Sequence, residues 1–127
     1  MPRRELLAYL IGAGIAGTML IGPYAGRAVV TSILPQFASF TYVPFFLLPL
    51  FWGAWNWLRI RARPRLGVGV WGAILGLVLA LAVNLLLVAE GRWFTGALIL
   101  PVTIPALYYL LWEFLVGPLN DGLGVEP

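Results

Sequence analysis

Cysteine, histidine and lysine are all absent from the 127 residues, and aspartate and glutamate together number only five. Without cysteine, no disulfide, thiol nucleophile, iron–sulfur cluster or zinc–thiolate site can form within the chain. Without histidine, histidine-ligated haem or copper and every histidine-based catalytic triad are excluded as well. A metal has only Glu5, Glu90, Glu113, Asp121 and Glu126 to bind, and these are scattered along the sequence. No metal or redox cofactor is therefore expected. The chain also lacks a nucleotide loop, a nucleophile elbow and paired catalytic carboxylates, so it is not expected to be an enzyme.

Charge is scarce too. Only 10% of residues are charged and 61% are hydrophobic, against about 25% and roughly 45–50% in soluble domains. That leaves too little polar surface to cover a water-soluble ball. The apolar residues fall in runs close to the ~20 needed to cross a bilayer as a helix. A barrel needs about eight or more segments of alternating polarity, and Leu75–Leu87 does not alternate. The expected fold class is all-α, a single integral membrane bundle of four transmembrane helices. The net charge of +3 comes from eight arginines, most of them beside apolar runs, where they act as topology signals rather than as a nucleic-acid surface.

The predicted spans are roughly residues 6–22, 42–58, 68–89 and 94–116. The first follows Pro2-Arg3-Arg4-Glu5, a start that also suits a signal peptide, and is read as a retained membrane helix. Gly22-Pro23-Tyr24-Ala25-Gly26 is expected to break it. Arg27–Val43, interrupted by Pro35, Gln36, Ser39 and Thr41 and dotted with Phe37, Phe40 and Tyr42, then reads as an interfacial or re-entrant segment. The alternative is a first helix continuing to about Leu34. Pro44 and Pro49 are expected to bend the second helix. Gly117-Pro118 is expected to stop the fourth, leaving Leu119–Pro127 as a frayed tail.

With four crossings, Arg3, Arg4, Arg59, Arg61, Arg63 and Arg65 share one side, and Arg27 and Arg92 the other. The positive-inside rule then places both termini in the cytoplasm of a multi-pass inner-membrane protein. Trp52, Trp55, Trp57, Trp71 and Trp112 come to the cytoplasmic interface and Trp93 to the outer one.

Four features are candidates for function. Ala8, Gly12 and Ala16, and likewise Gly72, Gly76, Ala80 and Asn84, recur every four residues. Such rows let helix backbones approach closely; they serve either a dimer or partner seam or packing within the bundle, the latter being preferred. Glu113 is the one acidic residue inside a predicted span, placed to pair with Arg59 or Arg61 at the foot of the second helix or, less simply, to relay protons. Asn84 and Thr103 can line a polar path. Pro101 and Pro105 free carbonyls beside Thr103 that can hold an ion, although a kink satisfied by neighbouring groups is the commoner outcome.

Two functions follow. The first is a non-catalytic membrane subunit, anchor or assembly component of a larger complex, meeting lipids and either other membrane subunits or itself as a dimer. The second is a homo-oligomeric small-solute or ion transporter or channel, resting on Glu113, Asn84, Thr103 and the helix prolines.

Overall fold

The computed structural model describes residues 2–35 and 44–125. These fold into helices with no strand among the described residues. Helix α1 (Arg3–Met19) passes through Leu20 into α2 (Ile21–Ile33), so the first helical stretch covers 31 residues, about 46 Å at 1.5 Å per residue. The break expected at Gly22–Gly26 does not occur. Pro23 falls in the first turn of α2, where a missing N–H leaves no intrahelical bond unmade. The expected interfacial segment is thereby corrected over Arg27–Ile33, which is helical, as the alternative reading had it. The Thr31 and Ser32 hydroxyls donate back to the carbonyls of Arg27 and Val29, at 2.7 and 2.6 Å, which lets a helix carry them. The rest of that expectation, with Gln36, Phe37, Ser39, Phe40, Thr41 and Tyr42, lies outside the described residues.

A 3₁₀ turn (Phe45–Leu47) leads into α3 (Leu48–Ala62), displaced by about one turn from the expected 42–58. The prolines set this start instead of bending the helix. Pro44 precedes the 3₁₀ turn and Pro49 occupies the first turn of α3, positions that suit a residue with fixed φ and no N–H. Arg59 and Arg61, expected in the loop, form the last turn of α3, where cations sit well against the carbonyl end of the helix. At 15 residues, α3 is about 22 Å long, short of the ~30 Å apolar core of a bilayer. Among the described residues, three helical stretches are long and apolar enough to cross a membrane: Arg3–Ile33, Val68–Ala89 and Thr95–Gly122.

Helix α4 (Val68–Ala89) matches the expected span and ends at Gly91, whose φ of 68° closes the turn, with Arg92 N–H donating to Leu87 O at 2.8 Å. The last stretch has four parts: a 3₁₀ turn (Thr95–Ile99), α5 (Leu100–Leu111), one π turn (Trp112–Val116) and α6 (Gly117–Gly122). Gly117-Pro118 does not stop the chain. The wider π turn restarts the helix at Gly117, so Pro118 lies in a first turn, and Gly117 packs so closely that a Cβ there would meet Val68 Cγ1 at 2.9 Å. The tail is not frayed over its described part either. Gly124, with φ 68°, ends α6, and Val125 N–H donates to Asn120 O at 2.8 Å, leaving Val125 fully buried.

The packing follows the small residues. Helix α1 lies against α3, and α4 against α5. A Cβ on Gly12 would collide with the Trp52 backbone carbonyl, and one on Gly53 would come 2.8 Å from Tyr9 O. In the second pair, Gly72 faces the Trp112 side chain, and Gly76 faces Tyr108 and the Ile104 carbonyl. The two pairs are joined by tryptophans. Trp55 on α3 and Trp71 on α4 stack at 4.5 Å and 21°, and each indole N–H donates to the other residue's carbonyl, at 2.7 and 3.0 Å. The centre is filled by Trp52, Tyr108 and Trp112, with ring centroids 5.0 and 5.5 Å apart.

Candidate functional site

Buried polar side chains in a chain this apolar mark the positions that the fold treats as special, because each must find a partner or bear a desolvation cost. The densest group lies at the end of the bundle that carries Arg3, Arg4, Arg59 and Arg61. Asn56 on α3 and Asn120 on α6 are both fully buried. Their amides bond reciprocally, Asn56 Nδ2 to Asn120 Oδ1 at 3.0 Å and Asn120 Nδ2 to Asn56 Oδ1 at 2.9 Å. The second Asn56 N–H donates to the Ala8 carbonyl of α1 at 2.7 Å. One asparagine pair therefore ties three helices drawn from opposite ends of the sequence. Arg4 completes the clasp: its Nε and Nη2 both donate to Val125 O, at 3.1 and 2.8 Å.

Glu5 sits beside this group, accepting from Trp57 Nε1 at 2.9 Å and lying 3.8 Å from Arg61. Arg61 also stands over the Trp57 ring at 5.5 Å. Arg59 reaches across the loop to Leu66 O at 2.9 Å. The pairing expected between Glu113 and Arg59 or Arg61 is not formed among the described residues. Glu113, carried on the π turn, instead accepts the Gly69 N–H at 3.0 Å. That N–H belongs to the first turn of α4, whose unbonded donors and dipole favour a carboxylate.

The remaining expected site residues are spread through the packing. Ala8, Gly12 and Ala16 are buried toward α3, and Gly72, Gly76 and Ala80 are buried along α4. Asn84 is fully engaged at the other end of the bundle. It donates to Ala80 O and Ala97 O, both at 3.0 Å, and accepts from Trp93 Nε1 at 2.9 Å, which fastens the Glu90–Phe94 turn. Thr103 donates to Ile99 O at 3.0 Å on an exposed face. No hydrogen bond joins Asn84 to Thr103 among the described residues.

Reasoning from sequence missed Asn56 and Asn120. Each stands alone in a stretch read as the foot of a helix or as tail, and they are 64 positions apart. The available signal was that Asn56 is polar yet lies three residues after Gly53 and four after Trp52, on a face that packs. One polar atom is left over. Trp112 Nε1 is the single buried side-chain nitrogen or oxygen without a hydrogen-bond partner among the described residues; such an orphan costs about 1–3 kcal/mol. The groups gathered here can hold helices together, and among the described residues no cluster of three or more metal-ligating side chains is present. No protein-family model, curated protein or solved structure matches the chain.

Proposed function

We propose that this chain is a non-catalytic integral membrane subunit, an anchor or assembly component of a larger membrane complex. In this reading it lies in a cell's inner membrane with both termini and the arginine loop in the cytoplasm. The observation that carries it is the occupation of the interior polar groups. Asn56, Asn120, Asn84 and Glu113 all bond to the chain's own helices, and bulky rings fill the centre, so little is left to carry a solute. A second observation supports a partner. On α1 and α2 the small residues Gly14, Thr18, Gly22 and Gly26 recur every four positions and are exposed, and among the described residues no atom beyond the local helix backbone lies within 4 Å of a Cβ built on any of the three glycines.

Geometry supports placing both termini and the arginine loop on one side, and charge alone supports making that side cytoplasmic. Arg4 bonds to Val125 and Arg61 approaches Glu5, so the amino end, the carboxyl end and the arginine loop occupy one end of the bundle. Reporter fusions after Val125 and after Gly91 should score on opposite sides of the membrane, and equal cytoplasmic signal from both would overturn the topology. The function itself is tested by purification in mild detergent. A foreign subunit in fixed stoichiometry supports the reading, and a chain that purifies only with itself overturns it.

A homo-oligomeric transporter is the second reading, favoured by one feature. The π turn that holds Glu113 also holds the orphan Trp112 N–H, and single π turns within helices recur at functional sites. Purified protein in liposomes containing a pH-sensitive dye tests its proton-relay form.

A further inference from the structure

Among the described residues, the end of the bundle that carries the arginine loop has more positive charge than its acids neutralise. Glu5 is occupied by Trp57 and Arg61, Glu113 by the Gly69 N–H, and Asp121 on α6 is exposed and pairs with none of the described arginines. Arg3, Arg63 and Arg65 are exposed, and among the described residues none of their side chains has a hydrogen bond, ion pair or ring contact. Arg61 is 64% exposed, its 3.8 Å approach to Glu5 being a loose contact. The backbone displays these side chains rather than folding them in. Arg63 adopts φ 49°, a left-handed turn at the end of α3, and its N–H donates to Arg59 O at 2.9 Å. The Arg59 side chain bonds to Leu66 O and closes the loop, so Arg61, Arg63 and Arg65 stand at successive alternate positions around a fixed turn.

We infer that this loop, Arg61, Arg63 and Arg65 with the Trp57 ring beside them, is a docking site for the phosphodiester headgroups of anionic phospholipids. The inference rests on the membrane reading above. Height favours lipid over a soluble polyanion. Only five residues separate α3 from α4. Trp57 lies one helical turn before Arg61, and the stacked Trp55–Trp71 pair lies just beneath the loop. The guanidinium groups are thereby held within a turn or two of the apolar surface, where tryptophan marks the headgroup layer. Arginine suits this ligand because its planar fork presents paired donors to phosphate oxygens. The basic residues at the end of α3 also complement its own carbonyl dipole, but that accounts for Arg59 and Arg61, not for Arg63 and Arg65 beyond the helix.

The test uses the purified full chain in phosphatidylcholine vesicles, with its tryptophan fluorescence transferred to dansyl-phosphatidylglycerol or dansyl-phosphatidylcholine. Each arginine near an anionic surface strengthens binding about fivefold, so three give on the order of a hundredfold at low salt. A preference of at least tenfold for the glycerol lipid is expected. It should fall as salt rises and should be lost in the Arg61→Gln/Arg63→Gln/Arg65→Gln variant. The corresponding triple lysine variant keeps the charge and should retain most of the preference, with both variants melting as the parent does in phosphatidylcholine. Equal transfer to the two lipids, a preference that survives the glutamine variant, or displacement by millimolar inorganic phosphate would each overturn the lipid site. Failure of the chain to incorporate into phosphatidylcholine vesicles is a separate result, and it overturns the membrane reading itself.

Discussion

Replacing Asn56 and Asn120 singly and together should show strong non-additivity, and the sizes follow from the bonds each asparagine makes. Asn120→Ala removes the reciprocal pair and leaves Asn56 Oδ1 without a donor, but Asn56 keeps its 2.7 Å bond to Ala8 O. A buried acceptor left unpaired costs about 1–3 kcal/mol, and interhelical hydrogen bonds measured in membrane proteins average only ~0.6 kcal/mol, so a loss of about 1–2 kcal/mol is expected. Asn56→Ala removes all three bonds and strands the Asn120 amide in a fully buried position, while the Ala8 carbonyl keeps its place in the α1 ladder. It should cost more, about 2–4 kcal/mol by the same principle. In the double variant no amide remains to be stranded. Its loss should therefore fall about 1–2 kcal/mol below the sum of the singles, well outside the ~0.3–0.5 kcal/mol within which independent sites add. The assay is reversible unfolding in mixed micelles, followed by tryptophan fluorescence. Additive losses, or an Asn120→Ala variant less stable than Asn56→Ala, would refute the argument.

The remaining predictions concern two contacts. Gly72→Ala should lower the melting temperature in detergent sharply and Gly14→Ala should leave it equal or slightly higher, since a Cβ at Gly72 enters the buried Trp112 side chain while one at Gly14 meets none of the described residues beyond its own helix backbone within 4 Å; overpacking of this kind costs about 1–3 kcal/mol. A neutral Gly72→Ala would place α4 and the π turn that carries Trp112 further apart than described. Glu113→Gln keeps a carbonyl to accept the Gly69 N–H and loses only the charge–dipole part, about 0.3–1 kcal/mol. Glu113→Ala also strands the donor and should cost about 1–3 kcal/mol, so equal losses for the two variants would mean that the carboxylate does not cap α4.

How much of this was legible in the sequence divides by the range of the interaction. Helix α4 could be read to the residue because its signal is local: one long apolar run, then glycine with the φ that ends a helix. Proline misled wherever its helical position mattered. Pro44, Pro49 and Pro118 read as benders or stops, yet each falls at or before the first turn of a helix, and only a register fixed by packing tells a first turn from an interior one. Pro105, truly interior, is the one that read correctly as part of a continuing helix.

The polar residues show the same division more sharply. Glu113 was identifiable as unusual from its place in an apolar run, but its partner was not. Arginines are conspicuous in a sequence, whereas a backbone N–H is invisible in it, and the Gly69 N–H is available only because α4 begins one residue earlier and Gly69 lets the carboxylate approach. A Cβ at that position would lie 2.7 Å from Glu113 Oε2. The small residue at Gly69 lies outside the every-fourth-residue row but serves the same end, admitting the Glu113 side chain as Gly72 admits that of Trp112. That common need bears on the exposed row at Gly14, Thr18, Gly22 and Gly26. Rows on the buried faces have their occupants within the chain, Trp52 for Gly12 and Trp112 for Gly72, whereas the exposed row follows the same spacing with none of the described residues against its glycines. A helix that meets only lipid has no need for small residues at regular intervals, because lipid chains conform to any surface. The spacing is meaningful only against a rigid neighbour, which is why its exposure supports the reading of this chain as one part of a larger assembly.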